Sequence, residues 1–310
     1  MMAKTDYQLI ILGGGPAGLT AGLYAARDRL KALLVEKGVV GGQVLVTDWI
    51  DNYPGFPDGL SGSDLIEKMA AQAARFELET KNGNVVKVEL SEATKKLTLE
   101  SGEELTSQAL IICTGARPNK LGIPGEEEFT GKGVSYCATC DGPFFRDQEI
   151  LVVGGGDTAI QEADFLTKFA SKVTVIHRRE TLRATTVLQE KAFANERIEF
   201  IWNSNVAAIE GGKEVERVRV RNTDGAEKEI AVSGIFILIG TIPNNEILPL
   251  EQLGSDEHGF IKTDDEMRTK VPGVMAAGDI RSKTVRQVIN GAGEGAVAAI
   301  AAEHYLSGLG

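Results

Sequence analysis

Two glycine loops set in matching frames constrain this chain more than any other feature. The first, Gly13-Gly14-Gly15-Pro16-Ala17-Gly18, fits G-x-G-x-x-G. The apolar run 8–12 enters it, an Ala- and Leu-rich stretch (19–27) follows, and a second apolar run, 32–35, ends at Glu36. Strand, glycine turn, helix and acid-tipped strand form a pyrophosphate cradle. Gly13 permits the tight turn, Gly15 lets backbone approach phosphate, and Gly18 lets helix and strand pack closely. The helix N-terminus adds free N–H groups, and Glu36 can accept from ribose hydroxyls.

The second loop, Gly154-Gly155-Gly156-Asp157-Thr158-Ala159, fits G-x-G-x-x-A. It follows the apolar run 149–153 and precedes a helix with Ile160, Ala163, Phe165, Leu166 and Phe169 on its apolar face. The two units keep register: Glu36 lies 23 residues after Gly13, and His177 lies 23 residues after Gly154. Where the first unit ends in a carboxylate, the second ends in His177-Arg178-Arg179, with Arg183 close behind. A carboxylate there repels a 2′-phosphate and arginines grip one. The first site therefore suits FAD and the second NADP(H). The competing reading of Arg178-Arg179 is a solvated basic turn.

Between the loops lies Cys137-Ala138-Thr139-Cys140-Asp141. Thiols at this spacing can close a small reducible disulfide ring, and such motifs often hold one thiol at depressed pKa. The bland reading is half a zinc site. The chain has only three cysteines and three histidines, and no second pair completes four ligands. A purely structural disulfide does not suit a reducing compartment. Cys113 ends an apolar run and reads as a buried core thiol.

The fold class that follows is α/β: two Rossmann-like dinucleotide-binding domains, the second inserted into the first. Each unit closes on a Gly-x-x-Pro turn, at Gly115-Ala116-Arg117-Pro118 and at Gly240-Thr241-Ile242-Pro243. The expected division is 1–115 with 244–310 for the FAD domain, and 116–243 for the NADPH domain carrying the dithiol. A helix is expected over 61–75, capped by Ser61 or Ser63. Antiparallel strands are expected over 84–89 and 96–100, and further strands over 206–210, 215–222 and 227–232. The stretches 41–43 and 51–57 hold too much Gly, Pro and Asn for regular structure. Near the C-terminus, Ala276-Ala277-Gly278-Asp279 precedes Arg286-Gln287-Val288 and a long Ala/Gly-rich helix, whose N-terminus could face a flavin ring.

The net charge of -11 argues against nucleic acid and anionic membrane as partners. No run of about 18 apolar residues exists to span a membrane. Met1 to Asp6 lacks the pattern of a secretory leader, so the expected location is cytoplasmic.

Taken together, these motifs resemble bacterial low-molecular-weight thioredoxin reductases, nearly end to end. The resemblance rests on the Gly13–Gly18 loop, Gly41-Gly42-Gln43, Cys137-Ala138-Thr139-Cys140-Asp141-Gly142, the Gly154–Ala159 loop, His177-Arg178-Arg179 and Ala277-Gly278-Asp279. It implies FAD held by Gly13, Gly15, Pro16, Ala17, Glu36, Lys37, Gly42, Gln43, Asn52, Thr114, Gly115, Gly278, Asp279, Arg286, Gln287 and Val288. It implies NADPH held by Gly154, Gly156, Asp157, Thr158, Ala159, His177, Arg178, Arg179, Arg183 and Gly240. It further implies a homodimer, with Cys140 facing the flavin, Cys137 attacking the disulfide of thioredoxin, and Asp141 as acid and base. The inserted domain would rotate about Arg117 and Ile242 to alternate nicotinamide and dithiol at the flavin. Two positions depart from the family pattern. Asp157 stands where many relatives have Asn, and Pro143 where many have an aromatic, with Phe144 and Phe145 left as the expected partner contacts. Three other readings share these motifs in part. They are a reductase of another thioredoxin- or glutaredoxin-like protein, a ferredoxin- or oxygen-dependent disulfide enzyme, and a non-catalytic flavin redox sensor.

Overall fold

A computed structural model describes residues 5–47 and 49–309. The stretch read for a leader begins in residues 1–4, outside that range. The chain forms two compact units, Met1–Arg117 with Ile242–Gly310 and Pro118–Thr241. Each is built on a parallel sheet, which is what local strand–turn–helix units assemble when both faces are covered.

In the first unit the parallel strands run Glu79–Asn82, Ala32–Glu36, Tyr7–Leu12 and Glu104–Ile112. The last of these changes neighbours along its length. Its early residues pair antiparallel with Lys95–Leu99, which leads on to Val85–Leu90. From Leu110 it pairs in parallel with Val274–Ala276. Strand residues Leu9, Ile10, Ile11, Leu33, Leu34 and Leu110–Ile112 are wholly buried, because they face packed layers on both sides of the sheet. Helix Pro16–Arg27 lies against the 20-residue helix Val288–Ser307. Small residues allow the approach: a Cβ on Gly295 would sit 2.1 Å from the carbonyl oxygen of Ala17.

The second unit has an all-parallel five-stranded sheet, ordered Ile198–Ile201, Lys172–Ile176, Glu149–Val153, Gly234–Ile237, Val134–Ser135. Strands Ser204–Gly211, Val215–Asn222 and Glu227–Ala231 make a separate antiparallel sheet.

Several expectations need adjusting. Helix Gly62–Ala74 forms, and Ser61 caps it by accepting from Asp64 N at 3.0 Å. The glycine-rich segment at 41–43 is not irregular: it opens a 3-10 helix, Gly42–Val46. Gly41 and Gly42 take φ of 131° and 59°, backbone that favours glycine, and this turn buries Val44. Three elements carry no clear pattern in sequence. Strand Glu79–Asn82 is a charged edge, while helix Thr186–Phe193 and strand Ile198–Ile201 are short and mixed. Among the described residues no helix is long and apolar enough to cross a membrane, and no group of acidic, His and Cys side chains could hold a metal.

Candidate functional site

The first glycine loop has the geometry of a phosphate cradle. Gly13 has φ of 107°, and a Cβ there would lie 2.3 Å from Cys113 O. A Cβ on Gly18 would lie 1.8 Å from Gly13 O, whereas one on Gly15 would meet nothing within 4 Å. The turn is thus closed on its protein side and open where backbone must approach a ligand. Gly15 precedes a helix that starts with Pro16 and has no side-chain cap, which leaves its first N–H groups for a phosphate. Glu36 closes the loop: its carboxylate accepts from Gly14 N at 2.7 Å and Gly38 N at 3.2 Å. Lys37 is exposed beside it.

The C-terminal segment comes back to this loop. Gly278 lies so near Ala17 that their Cβ atoms would be 3.0 Å apart. Gly278 N donates to Glu294 at 2.7 Å, and Glu294 also pairs with Arg281 at 2.8 Å and Lys283 at 3.2 Å. This network sets the turn that presents Asp279, which pairs with Lys283 at 3.4 Å. Burial raises the Asp279 carboxyl above its ordinary range. Gln287 is the N-cap residue of the long helix that Val288 begins, and its Oε1 accepts from Asn52 at 3.2 Å. Arg286 stacks over Phe260 at 4.2 Å. Gln43 donates to Ala116 O, and Asn244 braces Thr114 O and Gly115 O. Among the described residues, Thr114 Oγ1 and Arg286 Nε are buried with no partner. Buried polar groups ordinarily have one, so these two fit a polar ligand such as FAD along this face.

The second loop repeats the plan with a different tip. Cβ atoms would meet the Ala159 side chain and Leu238 O at Gly154, and the His177 ring 2.3 Å away at Gly155. Gly155 O accepts from Arg183 N at 2.7 Å and Ala184 N at 3.1 Å. Arg183 is thereby drawn over the loop, its Nη2 3.9 Å from where a Gly156 Cβ would be. Asp157 accepts from Thr185 N at 2.7 Å, so this departure from the family pattern ties the loop to the next helix. Thr158 is exposed and Ala159 buried. Gly240 O accepts from Asn119 N at 2.9 Å.

The basic tip divides in two. Arg178 and Arg179 are exposed. His177 is buried, with its ring under Gly155 and edge-on to Trp202. Desolvation lowers its pKa, and the neighbouring arginines lower it further, which keeps the ring neutral. His177 thus supports the loop from below while the arginines carry the charge.

Cys137 and Cys140 form a disulfide, with Cα atoms 5.3 Å apart. Cys137 is the N-cap of the single helical turn Ala138–Asp141. Cys140 N donates to Cys137 Sγ at 3.2 Å, and Asp141 N to Cys137 O at 3.1 Å. Ala138 is fully buried against the helix Asp157–Leu166, and its N–H donates to Glu162 at 3.3 Å. Ser135 Oγ accepts from Cys137 N at 3.0 Å. The two phenylalanines differ in setting. Phe144 is 45% exposed, but Phe145 packs on Phe236 with centroids 5.3 Å apart and lies beneath Gly234. Phe144 is the more exposed of the two. Cys113 is a buried free thiol with its pKa pushed up by burial, unsuited to thiolate chemistry.

Sequence motifs do not reveal Glu126, Glu162, Asn244 or Glu294. None sits at a motif spacing; each is identified by the backbone N–H or C=O that it holds.

The family profile of pyridine nucleotide-disulphide oxidoreductases matches residues 7–295. This chain belongs to that family. It is 44% identical over 312 residues to the thioredoxin reductase of Bacillus subtilis (strain 168), covering 100% of this chain and 98% of that one. To the thioredoxin reductase of Peptoclostridium litorale it is 47% identical over 310 residues, covering 98% of each. The structure matches thioredoxin reductase from Streptococcus pyogenes MGAS5005 with a TM-score of 0.94 at 45% identity, covering 97% and 98% of the two chains. It matches that of Lactococcus lactis in the FR conformation with a TM-score of 0.66, also at 45% identity, covering 98% and 100%. Within this oxidoreductase family, the chain carries two glycine loops and a Cys137–Cys140 disulfide.

Proposed function

We propose that this oxidoreductase is an NADPH-dependent flavoprotein that reduces the disulfide of thioredoxin. The observation that carries the reading is the disulfide-linked Cys137–Cys140 turn, which lies in the same unit as the arginine-tipped nucleotide loop. Bound at the Gly13 loop, FAD would supply the relay that takes a hydride from NADPH and delivers an electron pair to the disulfide.

The chain's own residues do the rest. The Gly154–Ala159 loop holds the NADPH pyrophosphate, and Arg178, Arg179 and Arg183 select the 2′-phosphate. Reduction opens the Cys137–Cys140 bond. The Cys137 thiolate then attacks the substrate disulfide, a mixed disulfide forms, and one substrate thiol leaves. Cys140 attacks that mixed bond, which frees the second thiol and restores the starting disulfide. Asp141 gives and takes the proton at each exchange. Phe144 contacts the protein substrate. The inserted unit rotates at Arg117 and Ile242, so that nicotinamide and dithiol meet the flavin in turn. In support, the thioredoxin reductase of Lactococcus lactis, 45% identical to this chain, is described in an FR conformation. The cycle suits a reducing cytoplasm, and the enzyme works as a homodimer.

Anaerobic titration with NADPH, followed at the flavin band, tests this reading. An end point near two equivalents is expected, for FAD plus a coupled disulfide. An end point near one removes the Cys137–Cys140 pair from the circuit. Bleaching by dithionite but not by NADPH would turn the assignment toward a ferredoxin-dependent enzyme. Turnover with a glutaredoxin but not with thioredoxin would replace the substrate.

A further inference from the structure

A carboxylate with no part in the scheme above lies next to the dithiol. Glu162 belongs to the helix Asp157–Leu166, whose first turn belongs to the nucleotide loop. In the second turn, its Oε2 accepts the Ala138 N–H at 3.3 Å. Ala138 follows Cys137 directly and is fully buried. Gly142, at the end of the same turn, is packed so that a Cβ would sit 3.0 Å from Leu166 Cδ2. The dithiol turn is therefore seated on this helix by apolar contact and by one hydrogen bond to a carboxylate.

We propose that Glu162 is a positioning residue for the dithiol: it holds the Ala138 N–H, and its negative charge beside Cys137 keeps the reduced pair a strong reductant. The inference deepens the reading given above and rests on the pair being the redox centre.

The distance follows from covalent reach. A cysteine sulfur lies within about 5 Å of the next residue's nitrogen. With 3.3 Å from that nitrogen to Glu162, sulfur and carboxylate are about 8 Å apart or less. Among the described residues no Lys or Arg forms an ion pair with Glu162, so its charge is not cancelled. Neighbouring charges have other partners. Asp164 pairs with Lys191 and accepts from Asn195, Lys168 lies over the Phe165 ring, and Asp157 accepts from Thr185 N. Asp141, on the dithiol turn itself, adds a second carboxylate near the thiols. Burial raises the Glu162 carboxyl's pKa, and the Ala138 N–H opposes that rise by favouring the ionised form.

Opening the disulfide takes up two electrons and two protons, or one proton where Cys137 stays a thiolate. NADPH supplies the electrons. A group that stabilises the thiolate stabilises the reduced pair and makes the couple more oxidising. A carboxylate does the opposite, which suits a pair that must pass electrons onward. At this separation a like charge raises a thiol pKa by about one unit.

The test is the pH profile of Cys137 alkylation by iodoacetamide after reduction with dithiothreitol, read by mass spectrometry. Cys113 is buried and does not interfere. Glu162→Gln keeps an acceptor for Ala138 and removes the charge. Its midpoint should fall about one pH unit below wild type. Above the thiol pKa, its equilibrium with the dithiothreitol couple should shift about tenfold toward the reduced pair, which is about 30 mV. Glu162→Ala should show the same midpoint shift. Profiles for both variants that overlie wild type would overturn the inference. Because dithiothreitol reduces the pair, the result is independent of NADPH. A wild-type pair that NADPH leaves oxidised would instead overturn the proposed function.

Discussion

Gly155→Ala should disable the nucleotide loop of the inserted unit while leaving flavin loading intact. The new Cβ would stand 2.3 Å from His177 Cε1 and Nδ1 and 2.8 Å from Nε2. Ordinary contact begins near 3.4 Å, so ring and loop must separate by about 1 Å. The ring has little freedom, being buried and edge-on to Trp202. The loop must therefore move, and Gly155 O carries Arg183 and Ala184 with it through their N–H bonds. Overpacking of this kind costs about 1–3 kcal/mol. A shift of that size at a positioned loop can cost on the order of 10²-fold in function. We expect KM for NADPH to rise about 10- to 100-fold, with the FAD absorbance per protein unchanged. The decisive assay is a double-mutant cycle with His177→Ala. Removing the ring should relieve the clash, so that the double variant recovers most of what Gly155→Ala loses, a coupling of about 1–3 kcal/mol. An unchanged KM in Gly155→Ala, or a double variant no better than the single, would refute the view that His177 supports the loop by packing.

Three other outcomes follow from the same geometry. Arg178→Ala and Arg179→Ala should each raise KM for NADPH by roughly 10- to 100-fold through loss of a charge-assisted hydrogen bond, with little change for NADH; steady-state kinetics with both cofactors would check this. Glu126 is 2% exposed and accepts from Leu121 N, Gly122 N and Tyr136 OH at 2.7 to 2.9 Å, so Glu126→Ala should destabilise the inserted unit by about 3 kcal/mol. Its melting temperature should fall, and by less in Glu126→Gln. Lys95 is wholly buried, with Nζ on Glu92 O at 3.0 Å, and desolvation lowers its pKa from 10.5 to about 8. Between those values the unfolded chain binds a proton that the folded chain does not, so stability rises with pH across that window and is lost as pH falls through about 8. Lys95→Met should remove that rise in denaturant melts from pH 8 to 10.

The two nucleotide loops, their strands and helices and the dithiol could all be recognised in the linear chain, because each depends on residues close together in it. A glycine that must make a tight turn, a helix that must start after it, and an acid or arginine at the next strand tip are separated by at most about two dozen positions. Covalent spacing alone brings them together. Strands such as Lys172–Ile176 were legible for the same reason: burial on both faces demands a continuous apolar run. What the tertiary structure decided depends on partners that no local pattern names. His177 reads as one of three cations, yet its ring turns inward under Gly155 because a glycine there leaves room for it. Phe144 and Phe145 are adjacent and alike in sequence, and only packing against Phe236 half-buries one of them. Glu79–Asn82 is too polar to read as a strand and becomes one because Ala32–Glu36 offers it an open edge. Glu162 and Glu126 look like ordinary surface acids until the fold places backbone N–H groups before them. Short-range sterics and hydrophobic periodicity are properties of the chain. Which buried donor meets which acceptor is a property of the packed molecule.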